Sequence, residues 1–193
     1  EFRFPFSQNR KTENRKDFRF RAFRFRKMRK RKTGWVDFAV GETPDLRSAC
    51  LVREALGGAS SLADAVFALQ CLGATPIYLA GSSEVKSTWL PKAVNGEAMM
   101  AFAMTEVEAG SDVGAMTTRA VREGSGYVIN GAKTLISNAG IADAYVVFAS
   151  TDPSQGKKGI SAFLVEASNP GLKFMGPQVL SAPHPLGEIS FVD

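Results

Sequence analysis

Residues 101–138 read AFAMTEVEAGSDVGAMTTRAVREGSGYVINGAKTLISN, and the fold class follows from how this stretch divides. The apolar run from Met99 to Met104 suits a buried strand, and Thr105-Glu106 ends it with polar groups. The small residues Ala109-Gly110-Ser111-Asp112 then favour a turn whose backbone N–H groups and hydroxyl face one way, a geometry able to hold an anion. Further on, Tyr127-Val128-Ile129 and Ala132 to Ser137 are β-prone runs on either side of Asn130-Gly131, so a two-residue hairpin is expected there. A planar, electron-accepting ring needs donors at its heteroatoms and an apolar floor, which Thr105, Ser111 and the backbone of Phe102 and Met104 can supply. Read singly, T-E-x-x-A-G-S-D is a strand–turn linker and Ser137 a solvated hydroxyl. Their spacing favours a shared site.

Working outward, Ile141 to Ala149 and Gly159 to Glu166 read as strands with one buried face, punctuated by Thr151-Asp152-Pro153 and Asn169-Pro170-Gly171. They extend the segment into a barrel-like β domain. Upstream the pattern is helical: Cys50-Leu51, Ala55-Leu56, Leu62, Ala65-Val66, Leu69 and Leu72 approximate a three-to-four-residue period. Ser60 and Ser61 are cap candidates, and Gly73 with Pro76 is expected to end that helix. A shorter helix opens at Gly81-Ser82-Ser83-Glu84 with Ser82 as its cap, and Pro91 is expected to break it. The expected class is therefore α+β, a helical segment followed by a β-barrel-like domain.

These motifs in this order resemble the acyl-CoA dehydrogenase family of flavoproteins. The resemblance rests on T-E-x-x-A-G-S-D at Thr105–Asp112, N-G-A-K-T-L-I-S-N at Asn130–Asn138 and I-A-D-x-x-x-V-F-A at Ile141–Ala149. It rests further on G-I-S-A-F-L-V-E at Gly159–Glu166, P-G-L at Pro170–Leu172 and G-S-x-E-x-K-x-x-W-L-P at Gly81–Pro91. It runs from about Cys50 to Asp193. It implies FAD as cofactor, with Phe102, Met104, Thr105, Gly110, Ser111, Leu135, Ile136 and Ser137 on the flavin, Ser111 also touching acyl-CoA, and Ser137 near flavin N5. The implied reaction is α,β-dehydrogenation of an acyl-CoA thioester to a trans-2-enoyl-CoA, in fatty-acid metabolism. An electron-transfer flavoprotein would reoxidise the flavin, and the complete enzyme would be a homotetramer. An acyl-CoA oxidase or a flavin monooxygenase on the same fold is the alternative.

The sequence departs from the family at two places, with Val107 where Pro is usual and Leu135 where Trp is usual; a Leu cannot stack over a ring as an indole does. By the resemblance, residues 34–97 are the end of an N-terminal helical domain and 98–193 the middle β domain. The family's C-terminal four-helix domain, which carries the catalytic base, has no counterpart here. No catalytic residue is assigned, and this chain alone is expected to be inactive.

Residues 1–33 hold 14 Lys+Arg against 3 Asp+Glu, a balance of +11, whereas the whole chain carries +5. Half of the 14 Phe residues also lie there, in Phe18-Arg19-Phe20-Arg21 and Phe23-Arg24-Phe25-Arg26. Such alternation suits phosphate contacts with base stacking, or an anionic membrane surface. It equally suits a disordered or non-native stretch such as a shifted reading frame, the reading adopted here, so a nucleic-acid partner is not expected. An Arg-rich presequence is a third reading, weakened by low Ser and high Phe content. Cys50 and Cys71 have no metal-ligand spacing and suit a reducing compartment, cytoplasmic or, in a eukaryote, the mitochondrial matrix. No metal site and no membrane span is expected. His184, between two prolines, reads as a solvated loop residue.

Overall fold

The computed structural model describes residues 46–181 and 184–192, so the basic segment 1–33 lies outside the described residues. Three helices come first: α1 (Leu46–Ala59), α2 (Ser61–Ala80) and α3 (Ser83–Asn95). The expected caps form. Ser60 Oγ accepts from the amide of Ala63, and Ser82 Oγ from that of Val85, each at 3.3 Å; each satisfies one of the orphan amides of a first turn.

The two expected stops do not occur. Helix α2 passes Gly73 and Pro76 and ends at Ala80, while α3 passes Pro91 and ends at Asn95. A proline removes one helical hydrogen bond and crowds the carbonyl four residues back. Tertiary packing outweighs that local cost: Ala74 and Ile77 of α2, with Trp89, Leu90 and Ala93 of α3, are buried in one cluster. Gly73 serves a close approach instead of a stop. A Cβ there would lie 2.6 Å from Met100 Cβ, so the bare backbone lets α2 rest directly on the first strand. Gln70 locks the contact, donating to the carbonyls of Ala93 and Ala98 at 3.0 and 2.6 Å and accepting from the Met100 amide at 3.0 Å.

Helix α2 has 20 residues and a window of mean hydropathy 1.4, which is long and apolar enough to cross a membrane by length and composition. Core helices of globular folds pass the same two measures. In this fold the helix turns Ala74 and Ile77 into the core it shares with the sheet.

The strands are β1 (Met100–Ala103), β2 (Arg119–Glu123), β3 (Gly126–Ser137), β4 (Ala144–Ser150), β5 (Ile160–Glu166), β6 (Leu172–Pro177) and β7 (Leu186–Phe191). They form a seven-stranded mixed sheet in the order β1-β4-β2-β3-β7-β6, with β5 on β4. Strand β4 runs parallel to β1 and antiparallel to β5, and meets β2 only at Arg119 opposite Ser150. Through that one pair the sheet curls into a half-barrel. Tyr145 and Val147 of β4 point to the inner core with Ile136, Ile189 and Phe191, while Ala144 and Val146 point to the helices. Both faces of β4 are thus buried, not one as expected, which is why Ala144 to Ala149 is an unbroken apolar run with no alternation.

Asn130-Gly131 is not a turn. Strand β3 runs unbroken through it, and the hairpin closes at Gly124-Ser125 between Glu123 and Gly126. Gly131 instead takes φ 147° where Thr118 crosses; a Cβ there would lie 2.5 Å from Thr118 Oγ1.

Candidate functional site

Strand β1 delivers the chain to Met104, Thr105 and Glu106, where a buried ion pair fixes it. Glu106 Oε1 accepts from Lys133 Nζ at 2.8 Å and from the Thr118 amide at 3.0 Å, and Oε2 accepts from the amide and hydroxyl of Thr117, both at 2.6 Å. Lys133, 0% exposed, also donates to the Met104 carbonyl at 3.0 Å. Burial pushes the Glu106 carboxyl up, but the bonds from Lys133, Thr117 and Thr118 together outweigh it and hold the group at about 2. Burial likewise pulls the Lys133 ammonium below its ordinary value, against the opposing pull of Glu106. The next rung ties Thr105 itself: its carbonyl accepts from the Thr134 amide at 2.9 Å.

Just past this anchor β3 is irregular. Its register against β7 shifts between Lys133 and Ile136, and Leu135 adopts φ 56°. A left-handed conformation costs a branched residue on the order of 1–2 kcal/mol. Gln178 braces it, accepting from the Leu135 amide at 2.7 Å and donating to Thr134 Oγ1 at 2.7 Å. The irregularity turns Ile136 into the core and leaves Leu135 and Ser137 on the other side.

Leu135 and Ser137 there meet Phe102 and Thr105 in a cavity of about 240 Å³, whose other walls are Leu69 and Leu72 of α2 and Met100-Ala101 of β1. Two hydroxyls therefore stand among side chains that are otherwise apolar, with backbone polar groups also reaching the space. Of the remaining expected site residues, Ile136 is buried in the core, Met104 is held through its carbonyl, and Gly110 and Ser111 are exposed on their turn, outside the lining of this cavity.

His184 corrects the sequence reading. It is half-buried, and its Nε2 lies 3.1 Å from Ser137 Oγ. It lines a second cavity of about 320 Å³ with Phe174, Pro177, Val179 and Leu180. Sequence reasoning also passed over Glu106, Lys133 and Gln178 as site-builders. The only signal for His184 is strand register, since Ser137 pairs with Leu186, two residues beyond it. Among the described residues no group of three or more His, Cys, Asp or Glu gathers to hold a metal.

Comparison with known proteins gives two family matches. The sequence model for the acyl-CoA dehydrogenase N-terminal domain matches residues 7–97, and that for the middle domain of the same family matches residues 101–193. A 3-(aryl)acrylate reductase from Clostridium sporogenes is 40% identical over 139 residues, covering 72% of this chain and 37% of the relative. A cyclohex-1-ene-1-carbonyl-CoA dehydrogenase from Geobacter metallireducens is 46% identical over 125 residues, covering 64% of this chain and 33% of the relative. A solved structure described as PigA with FAD and proline superposes with TM-score 0.75 at 35% identity, covering 80% of this chain and 42% of that one. The chain thus spans about a third of the length of these two curated relatives.

Proposed function

The chain belongs to the acyl-CoA dehydrogenase family, and from that premise we propose that its cavity at Phe102, Thr105, Leu135 and Ser137 takes the ring of FAD in a dehydrogenase of acyl-CoA thioesters. The observation that carries this is the pairing of two hydroxyls, Thr105 and Ser137, in one cavity with the apolar side chains of Leu69, Leu72, Met100 and Phe102. A flavin ring has that chemistry, apolar on its faces with hydrogen-bonding heteroatoms at one edge. The residues present fit it. Bound FAD supplies a hydride acceptor for removal of hydrogen from the α- and β-carbons of the thioester.

The chain's own residues divide the remaining work. Thr105 and Ser137 orient the ring by hydrogen bonds at its polar edge. Leu69 and Phe102, both partly buried, shield that edge from water, which strengthens those bonds. The Glu106–Lys133 pair holds Thr105 in place from behind, through the Met104 carbonyl and the Thr117-Thr118 backbone. Ser111, exposed on its turn, is left for the CoA portion. An electron-transfer flavoprotein as reoxidant, a homotetrameric assembly and a cytoplasmic or matrix location complete the proposal. The relative described as an acrylate reductase favours a second reading, reduction of the same carbon–carbon bond.

The test is purification of the whole polypeptide that carries this chain, followed by anaerobic mixing with a panel of acyl-CoAs. A yellow protein bleached by an acyl-CoA supports dehydrogenation; one reduced chemically and reoxidised by an α,β-unsaturated acid or thioester supports the reductive reading. Ser137→Ala is expected to weaken FAD by about 1–3 kcal/mol, the cost of one buried hydrogen-bonding group. A colourless protein that takes up no added FAD would rule out both.

A further inference from the structure

Nothing in the work assigned above uses His184. The main chain just after it is held at two points: the Asn138 amide donates to the Pro185 carbonyl at 2.9 Å, and the Gln178 amide to the Leu186 carbonyl at 2.8 Å. Its ring is half-buried in the second cavity, whose lining carries no charged side chain. The other polar side chain there, Gln178, is already bonded to the Leu135 amide and to Thr134 Oγ1. The partner that remains for the imidazole is Ser137 Oγ, 3.1 Å from Nε2. Ser137 lines one cavity and His184 the other, so their contact joins the two spaces.

We propose that His184 is a positioning residue: through its hydrogen bond to Ser137 it fixes which way that hydroxyl presents itself to a flavin held in the first cavity. The proposal rests on the flavin reading above. A serine hydroxyl has one proton and two lone pairs. If Nε2 accepts, the proton points at His184 and the cavity meets lone pairs. If Nε2 carries the ring proton, it donates to Oγ and the hydroxyl proton is free to point into the cavity. The hydride-accepting nitrogen of a flavin is a hydrogen-bond acceptor when oxidised and bears a proton when reduced. A hydroxyl locked in either sense therefore favours one oxidation state, whereas an unrestrained hydroxyl rotates to suit both.

The experiment uses the whole flavin-loaded polypeptide and compares wild type with His184→Ala, His184→Gln, Ser137→Ala and the double variant Ser137→Ala/His184→Ala. His184→Phe, which keeps a ring without nitrogen, is measured beside them so that a poorly folded alanine variant does not decide the outcome. FAD retained on gel filtration and the flavin midpoint potential are the readouts. Losing the imidazole nitrogen is expected to change the relative affinity for reduced and oxidised flavin three- to tenfold. That is about 15 to 30 mV, at about 30 mV per tenfold for a two-electron couple. His184→Gln should recover at least half of the shift, and His184→Ala should add no shift in the Ser137→Ala background. Either sign supports the proposal, an upward shift placing the ring proton on Nε2 and a downward one placing it on the other nitrogen. An unmoved potential in flavin-loaded His184→Phe, or equal shifts with and without the Ser137 hydroxyl, overturns it and leaves the flavin reading standing. A wild-type protein that holds no flavin overturns both.

Discussion

Lys133 is wholly buried, and an ammonium group survives there only because Glu106 and the Met104 carbonyl answer it. The pair is a fixing point for Thr105 more than a source of net stability, since the cost of desolvating two ions offsets much of their attraction. Removing one partner is a different matter. Lys133→Met is expected to lower unfolding free energy by about 3–5 kcal/mol, because it leaves a buried carboxylate without its cation; urea unfolding at neutral pH measures this. The acid response has a definite sign. Glu106 is held at about 2 in the folded chain, below the roughly 4.3 of an unfolded glutamate. Its contribution is thus fully present above about 4.3 and lost as pH falls toward about 2. Midpoints that stay flat through that window in wild type would remove Glu106 from the account. At this scale the meeting of Thr105 and Ser137 at one cavity was suggested by motif spacing, since each stands at the end of an apolar or β-prone run. Their supports were not: Lys133 lies 27 residues from Glu106, Gln178 lies 43 from Leu135 and His184 lies 47 from Ser137, and no local pattern reports such pairings.

Among the elements, α2 on β1 shows how tertiary contact overrides local rules. Glycine and proline within a helical pattern suggest a stop, yet Gly73 and Pro76 sit inside α2 because one face of that helix must reach Met100. Gly73→Val is expected to force α2 away from the sheet and to cost about 1–3 kcal/mol, the usual penalty of overpacking. Thermal unfolding of the whole polypeptide reads the cost, and a variant as stable as wild type would mean that the helix does not lie against Met100. The cost should fall on flavin retention as well, because Leu69 and Leu72 on the same helix wall the cavity. Asn130-Gly131 carries the same lesson in the sheet. Its two-residue signature is that of a hairpin, but the crossing of Thr118 claims the glycine and the turn falls at Gly124-Ser125. The strands themselves were legible from apolar runs, whereas their register, and with it the irregularity at Leu135, depends on partners distant in the chain.

For the molecule as a whole, the cavity lies where two layers meet, which ties ligand binding to global stability. The helical cluster and the inner core share no member in common but meet through β1 and β4, where Met100 faces the helices and Ala101 and Ala103 face the half-barrel. The cavity draws its walls from α2, from β1 and from the irregular end of β3. A ligand seated there must therefore stabilise helix and sheet together. A hundredfold excess of FAD over its dissociation constant is expected to raise the unfolding free energy by about 2.7 kcal/mol, the mass-action value for a ligand bound only by the folded state. The gain should appear locally as slower amide exchange in α2 around Leu69 and Leu72 and in β3 around Leu135 and Ser137. Protection confined to one of these elements would place the ligand elsewhere, because the cavity takes its lining from both α2 and β3.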